Sequence, residues 1–373
     1  MARTADIDLL RSIALIGIAV VNIPFLANPP TLVRPTGADA VAQFLVEWLF
    51  QGKFFILFSF VFGWGFAVQI AAAQREGHSA AARFSLRLSG LALLGIAHGL
   101  LVFAGDILLL YALLGAGLLL LHTASPKVLL GVMAGCVVLA MASLALLGAL
   151  LPDILAAMVP PPTTGGYRGG IADSIRQRIG EWPSAFAFVV LFNGPIAFAA
   201  FAAGLFAARR GALDPGSPIH ARFDRALPWF LVVGLGLNGV YAAAMAGLFG
   251  EGLAALAGFV LLAVAAPILS IAYLLLIIRA SRRWQAADII ARPGRMSLTG
   301  YVLEGVLAGL IFNGYGLGLY GTVGAMGCLL IALGVAAATH LAATLWLRVF
   351  QQGPLEAVLR WWTRLADHRT LGR

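Results

Sequence analysis

His98 and Asp106 stand eight positions apart within an apolar stretch that runs from Arg87 to Tyr111. An imidazole beside a carboxylate can do proton chemistry: the acid orients the ring, and the ring takes a proton from a hydroxyl or an amine. Ionisable groups in hydrocarbon cost several kcal/mol, so they normally mark a pathway or a site. Helix arithmetic gives the depth. At 1.5 Å per residue a helix starting at Arg83 reaches about 22 Å by His98, most of the way across a core of about 30 Å. Gly105-Asp106 then reads as the tip of a hairpin between two membrane helices. A plainer reading fits the same residues equally well. In it His98 binds a carbonyl inside the packing, and Asp106 caps the positive end of the next helix.

Other polar residues fall where a membrane does not need them. Glu304 lies about 13–15 Å beyond Arg295 along a helix, at mid-bilayer depth, so it needs a proton or a partner. Asn22, close to the outer end of the first helix, can bridge helices or orient a substrate. Glu47 and Gln51 share a helix face, and Glu47 reaches Lys53 only if the chain bends near Gly52. These outward groups, with His98 and Asp106, either line one cavity or form a solvated helix end. Asp8 and Arg11 sit three apart and can pair; Arg292 and Arg295 lie at the same membrane face. His340 reads as a structural hydrogen-bonding group in the tenth helix. No metal cluster is implied. Cys136 and Cys328 fall inside apolar runs, where cysteine behaves as a small hydrophobe.

The elements that must hold these groups are membrane helices. Hydrophobic residues make up 61% of the 373 positions and charged residues 11%, far below the roughly 25% charged of soluble domains. The chain therefore reads as one all-α, polytopic domain over 1–373. Apolar runs predict ten helices near 8–27, 44–72, 83–103, 106–122, 127–151, 184–208, 226–249, 252–278, 297–316 and 321–349. The first run lacks a basic leader and a cleavage site, so it is taken as a membrane helix rather than a signal peptide. With the amino terminus inside, the arginines and lysines divide twenty inside to five outside. That asymmetry puts both termini in the cytoplasm. The net charge of +9 sits at the ends of apolar segments and calls for lipid partners, not nucleic acid.

Two segments read as surface elements. The 152–183 connection holds a proline- and glycine-rich stretch that cannot be regular helix, followed by Ile171, Ile175, Ile179 and Trp182 at helical spacing. That pattern predicts a short amphipathic helix on the outer surface, either an interfacial anchor or a lid. Residues 354–366 predict a second one on the cytoplasmic face, with Leu355, Val358, Leu359, Trp362 and Leu365 on one side. The residues from Asp367 onward read as frayed.

Several phrases together resemble a known family. They are Asp8-Leu-Leu-Arg11-Ser12 through Asn22, Lys53 through Gly63, His98 with Asp106-Ile-Leu-Leu-Leu-Tyr-Ala112, Gly294 through Tyr301, and Gly353-Pro-Leu-Glu356. They resemble the YeiB-like family of bacterial inner-membrane proteins, whose defining domain has no assigned function. That family is also distantly similar, mainly in its first and second helices, to transmembrane acyltransferases such as heparan-alpha-glucosaminide N-acetyltransferase. Ser12 departs from the glycine usual there, and no histidine occurs between Met1 and Arg75, so His98 would take the catalytic place from another helix. The resemblance implies acyl transfer from acetyl-CoA or another acyl-CoA, used as co-substrate rather than as a tightly bound cofactor, to a small-molecule or glycan acceptor outside. His98 would be the base, Asp106 its orienter and Asn22 the oxyanion donor. Glu47, Lys53 and Glu304 would meet the acceptor, and Arg11, Arg292 and Arg295 the donor's phosphates. Two other readings stand beside it. One is a transporter or flippase with a Glu304–His98–Asp106 proton relay; the other is a scaffold without turnover. Oligomeric state stays open, a homodimer included.

Overall fold

The computed structural model describes residues 5–28, 34–77, 79–157, 165–250, 252–284 and 287–369, all of them helical or in connections. The helices are α1 Ala5–Ala27, α2 Gly37–Leu49, α3 Lys53–Arg75, α4 Ala80–Leu101, α5 Leu108–Leu120, α6 Pro126–Ala157, α7 Gly165–Arg168, α8 Ile171–Arg209, α9 Pro218–Arg225, α10 Leu227–Met245, α11 Leu253–Arg283, α12 Ala287–Ala291, α13 Ser297–Phe312, α14 Ala325–Val349 and α15 Pro354–Arg369, with a 3₁₀ turn at Arg292–Met296. Among the described residues nine spans are long and apolar enough to cross a membrane, taking α2 and α3 together. The protein is a multi-pass, all-α membrane protein.

Each predicted run finds a helix, but several differ in kind. The fourth, α5, has 13 residues and is only about 20 Å long, so by itself it is too short to span. The second breaks at Gly52, whose φ of +81° is left-handed and suits glycine alone without strain. The ninth stops at Phe312, because residues 313–321 fold back on it: Leu317 and Tyr320 donate backbone hydrogen bonds to Leu310 and Phe312.

The largest correction concerns 152–183. Helix α6 continues to Ala157, and residues 158–164, most of the proline-rich stretch, lie outside the described residues. The expected short surface helix is the first part of α8, 39 continuous residues or about 58 Å, nearly twice the hydrocarbon thickness. Its amphipathicity is inside-out. Ile171 and Ile179 are exposed while Ser174 and Arg178 are buried, as expected when lipid or headgroups, not water, meet the outer face. Helix α15 starts at the predicted Pro354, runs three residues past the predicted end to Arg369, and docks on α4, where Trp362 Nε1 donates to Ser89 Oγ at 3.0 Å. Of the residues expected to be frayed, 370–373 lie outside the described set.

Helix α1 runs through the middle of the bundle, packed against α3, α11, α13 and α14. The tightest contact is between α3 and α8. A Cβ placed on Gly63 would fall on the Phe201 carbonyl oxygen, and one on Gly204 would fall on that of Phe60. In lipid, such close backbone approach supplies the dispersion contacts that water-driven burial supplies elsewhere. Gly63→Ala is therefore expected to lose about 1–3 kcal/mol through overpacking. Gly135→Ala, where nothing lies within 4 Å, should leave the melting temperature of the purified protein unchanged.

At the end where α1 begins, Arg282 pairs with Asp6 at 3.1 Å and Arg279 with Asp224 at 2.6 Å. The hydrogen bond and charge of Arg279 hold the Asp224 carboxyl below its usual range. At the same end Glu356 of α15 accepts from the backbone N–H of Leu298 and Thr299 and from the Thr299 hydroxyl. The carboxylate thus caps the positive end of α13 and fixes the helix that carries Tyr301 and Glu304.

Candidate active site

Helices α4 and α5 form the hairpin expected around Asp106, and their close approach places the dyad. A Cβ on Gly95 would meet the Leu109 backbone nitrogen, so glycine lets α5 start directly against α4. His98 and Asp106 touch: Nδ1–H donates to Asp106 Oδ1 at 2.8 Å. Asp106 Oδ2 accepts from the backbone N–H of Leu108 and Leu109 at 2.8 and 3.2 Å, and Tyr301 OH donates to Oδ1 at 3.3 Å. Four donors converge on one carboxylate, so Asp106 acts purely as an acceptor. It caps α5, as the plainer reading expects, and it also orients His98, whose Nδ1 meets this carboxylate and not a carbonyl.

With the proton on Nδ1, the other ring nitrogen carries a lone pair. His98 is 4% exposed, yet its Nε2 is buried without a hydrogen-bond partner, and so are both carboxyl oxygens of Glu304. These groups share one cavity, lined by Ala19, Asn22, Ile23, Leu26, His98, Phe103, Tyr301, Glu304 and Gly305, with a volume of about 10 Å³. That is the room of a single water. Buried polar atoms are paired in the great majority of cases; three orphans around one hollow describe a place that receives something polar. Gly305 keeps it open, since a Cβ there would sit 2.9 Å from His98 Nε2.

Catalytic candidates His98, Asp106 and Asn22 are therefore brought together, and Glu304 joins them. Glu47 and Lys53 do not line this cavity. The break at Gly52 turns Lys53 inward, where it is fully buried, but its Nζ donates to the Glu47 carbonyl at 2.8 Å, not to the carboxylate. The Glu47 carboxylate instead accepts from Tyr241 of α10. This second polar knot ties α2 and α3 to α10. The three arginines expected to meet a donor's phosphates are spread over the opposite end: Arg11 pairs with Asp8 at 3.0 Å, Arg295 donates to the Gln351 carbonyl at 3.1 Å, and Arg292 is exposed. His340 is structural, its Nε2 2.9 Å from Ser12 Oγ and its Nδ1 2.8 Å from the Ala336 carbonyl. Among the described residues no group of three His, Cys, Asp or Glu side chains is placed to hold a metal.

Tyr301 in the site, and Arg178, which donates to the Leu101 carbonyl at the end of α4, carry no separate signal in the sequence reading. Tyr301 is three residues before Glu304 and therefore on its face, a spacing that could have suggested it. Arg178 shares its helix face with Ser174 and Trp182, but the isoleucine periodicity points the other way.

A family model described as "Protein of unknown function (DUF418)" matches residues 207–366, a span that includes Tyr301, Glu304 and Glu356. The Uncharacterized protein YxaH of Bacillus subtilis (strain 168) is 28% identical over 96% of this chain and 93% of its own. The Uncharacterized 39.9 kDa protein in amylase 3'region of Bacillus acidopullulyticus is 28% identical over 97% and 94%. The Uncharacterized protein YeiB of Escherichia coli (strain K12) is 27% identical over 96% of each chain. No solved structure matches the chain.

Proposed function

From the premise that the chain belongs to this YeiB-like family, we propose that it is a membrane acyltransferase of the bacterial inner membrane. It would move an acyl group from a cytoplasmic thioester to an acceptor at the other face. The observation that carries this reading is the orphaned Nε2 of His98, beside a small hollow that Glu304 and Asn22 also line, while Asp106 holds the opposite ring nitrogen.

The chemistry is a proton transfer coupled to acyl transfer. Nε2 takes the proton of the acceptor hydroxyl or amine as its oxygen or nitrogen attacks the thioester carbonyl carbon. Asn22 donates to the oxyanion that forms. The carbon–sulfur bond then breaks, and the thiolate leaves with the proton that the imidazolium returns. Glu304 accepts a hydrogen bond from the acceptor's second donor. Asp106 favours the imidazolium without taking its proton. The cavity admits a single water, so both substrates need lining side chains such as Leu26 and Phe103 to move aside.

The donor would enter from the end carrying Arg11, Arg292 and Arg295, which face phosphates well as planar forks. From Arg11 to Asn22 is about 16 Å along α1, a length suited to a thioester arm. Acetyl-CoA should raise the melting temperature of the purified protein by linkage, and more than CoA alone does if the acyl end reaches the hollow. No shift with any acyl-CoA, together with undiminished function in His98→Ala cells, would remove this reading.

Glu304 favours a second reading, a proton-coupled carrier, since an unpartnered mid-bilayer acid is what such carriers use. It requires pH-driven solute movement in proteoliposomes that Glu304→Gln abolishes, and it fails if flux equals that of empty vesicles.

A further inference from the structure

Arg178 is a cation held inside the protein. It is 2% exposed, and among the described residues no carboxylate is in ion-pair contact with it. Its Nη1 donates to the Leu101 carbonyl at 2.9 Å, and its guanidinium lies over the Tyr167 ring, 5.4 Å from the centroid. Nη2 is buried with no partner. The nearby acid is already engaged: Glu181 accepts from Tyr167 OH and from Gln177 Nε2, both at 2.6 Å. A guanidinium held rigidly on two sides, with the remaining fork tip desolvated and empty, is costly unless an anion completes it.

Its position gives that anion a role. Leu101 ends α4 one helical turn beyond His98, and Trp182, one turn along α8 from Arg178, meets the same helix at Gly99. The first turns of α8 thus bring a fixed positive charge to the far end of the helix that carries the base.

We propose that Arg178 is an anion-recognition residue: its Nη2 takes a phosphate or carboxylate group of the acceptor and so sets where the reacting hydroxyl or amine meets His98. This rests on the acyltransferase reading for the role but not for the binding. The anion is either that of a soluble molecule or that of a lipid headgroup. Helix α8 is longer than the hydrocarbon is thick, and with its first turns beyond the hydrocarbon edge both sources reach Arg178.

The test is thermal stability of the full-length protein with inorganic phosphate or acetate in neutral detergent, and in nanodiscs of phosphatidylglycerol against phosphatidylcholine. Wild type, Arg178→Gln, Arg178→Lys and His98→Ala are compared. The expected result is a stabilising shift in wild type and His98→Ala, weakened at least tenfold in apparent affinity in Arg178→Lys and absent in Arg178→Gln. A shift with phosphate or acetate identifies a soluble anion of that type; a shift confined to phosphatidylglycerol identifies a headgroup. If Arg178→Gln does not fold, the weakening in Arg178→Lys carries the test. Equal shifts in wild type and Arg178→Lys, or no shift in wild type with any of the four, overturn the proposal. Retention in His98→Ala keeps the binding claim separate from the acyltransferase reading, which fails or stands on the acyl-CoA experiment.

Discussion

Asp106→Ala should both unfold the hairpin and silence the site. The substitution leaves His98 Nδ1, the Leu108 and Leu109 backbone N–H groups and Tyr301 OH without their acceptor. Each buried group stranded in this way costs about 1–3 kcal/mol in soluble proteins. Membrane side-chain bonds average about 0.6 kcal/mol, since the unfolded chain in lipid also finds partners. For the four groups these values bracket the loss between about 2 and about 12 kcal/mol, and even the lower part of that range is enough to melt the α4–α5 pair. Asp106→Asn separates stability from chemistry. Its amide oxygen can still cap α5, so most stability stays. Its amide N–H, turned toward the ring, forces the proton onto Nε2 and removes the base, and turnover should fall about 10³–10⁴-fold as in other His–Asp pairs. The pair of variants is read by denaturation and by acyl transfer on the same preparations. Loss of stability in Asn equal to that in Ala would mean that the hairpin, not the tautomer, is what Asp106 maintains.

Glu304 is expected to behave in the opposite way. Its carboxyl is 96% covered and both oxygens lack a partner, so the folded protein carries the desolvation cost with nothing to offset it. Replacing such a group by an apolar side chain of similar volume commonly stabilises, by about 1–4 kcal/mol. Glu304→Met should therefore raise the melting temperature while lowering turnover at least 10²-fold, the trade expected where function keeps a strained group. A structural glutamate would give a lower melting temperature. That sign, not its size, distinguishes the two.

The helices were legible because lipid imposes one rule: a run of apolar residues long enough to satisfy its own backbone. The places of the ten runs follow from it; the break at Gly52 inside the second, where the sequence offered a bend only as a condition, does not. What escaped was set by which surface each face meets. Ile171, Ile175 and Ile179 were legible as the apolar stripe of a helix at the outer surface, and Ile171 and Ile179 are exposed. The stripe did not show that this helix continues unbroken to Arg209 or that Arg178, on another face, is buried. Asp106 was legible as a hairpin residue, and its contact with His98 was not, because eight residues across a turn fix a neighbourhood and not a rotamer. Glu47 and Lys53 were grouped with His98 on depth alone. Depth sorts residues along the membrane normal and says nothing of angle around the bundle, and the structure puts this pair on the α10 side.

The acyl-transfer account turns on the state of one nitrogen atom. Nitrogen-15 spectra of histidine-labelled protein in bilayers, with the His98 signal assigned by difference from His98→Gln, observe it directly. The account expects the Nδ1–H tautomer with a bare Nε2, and an Nε2 signal that moves when acetyl-CoA is added. A proton found on Nε2 in the resting protein, unmoved by any acyl-CoA, would contradict it.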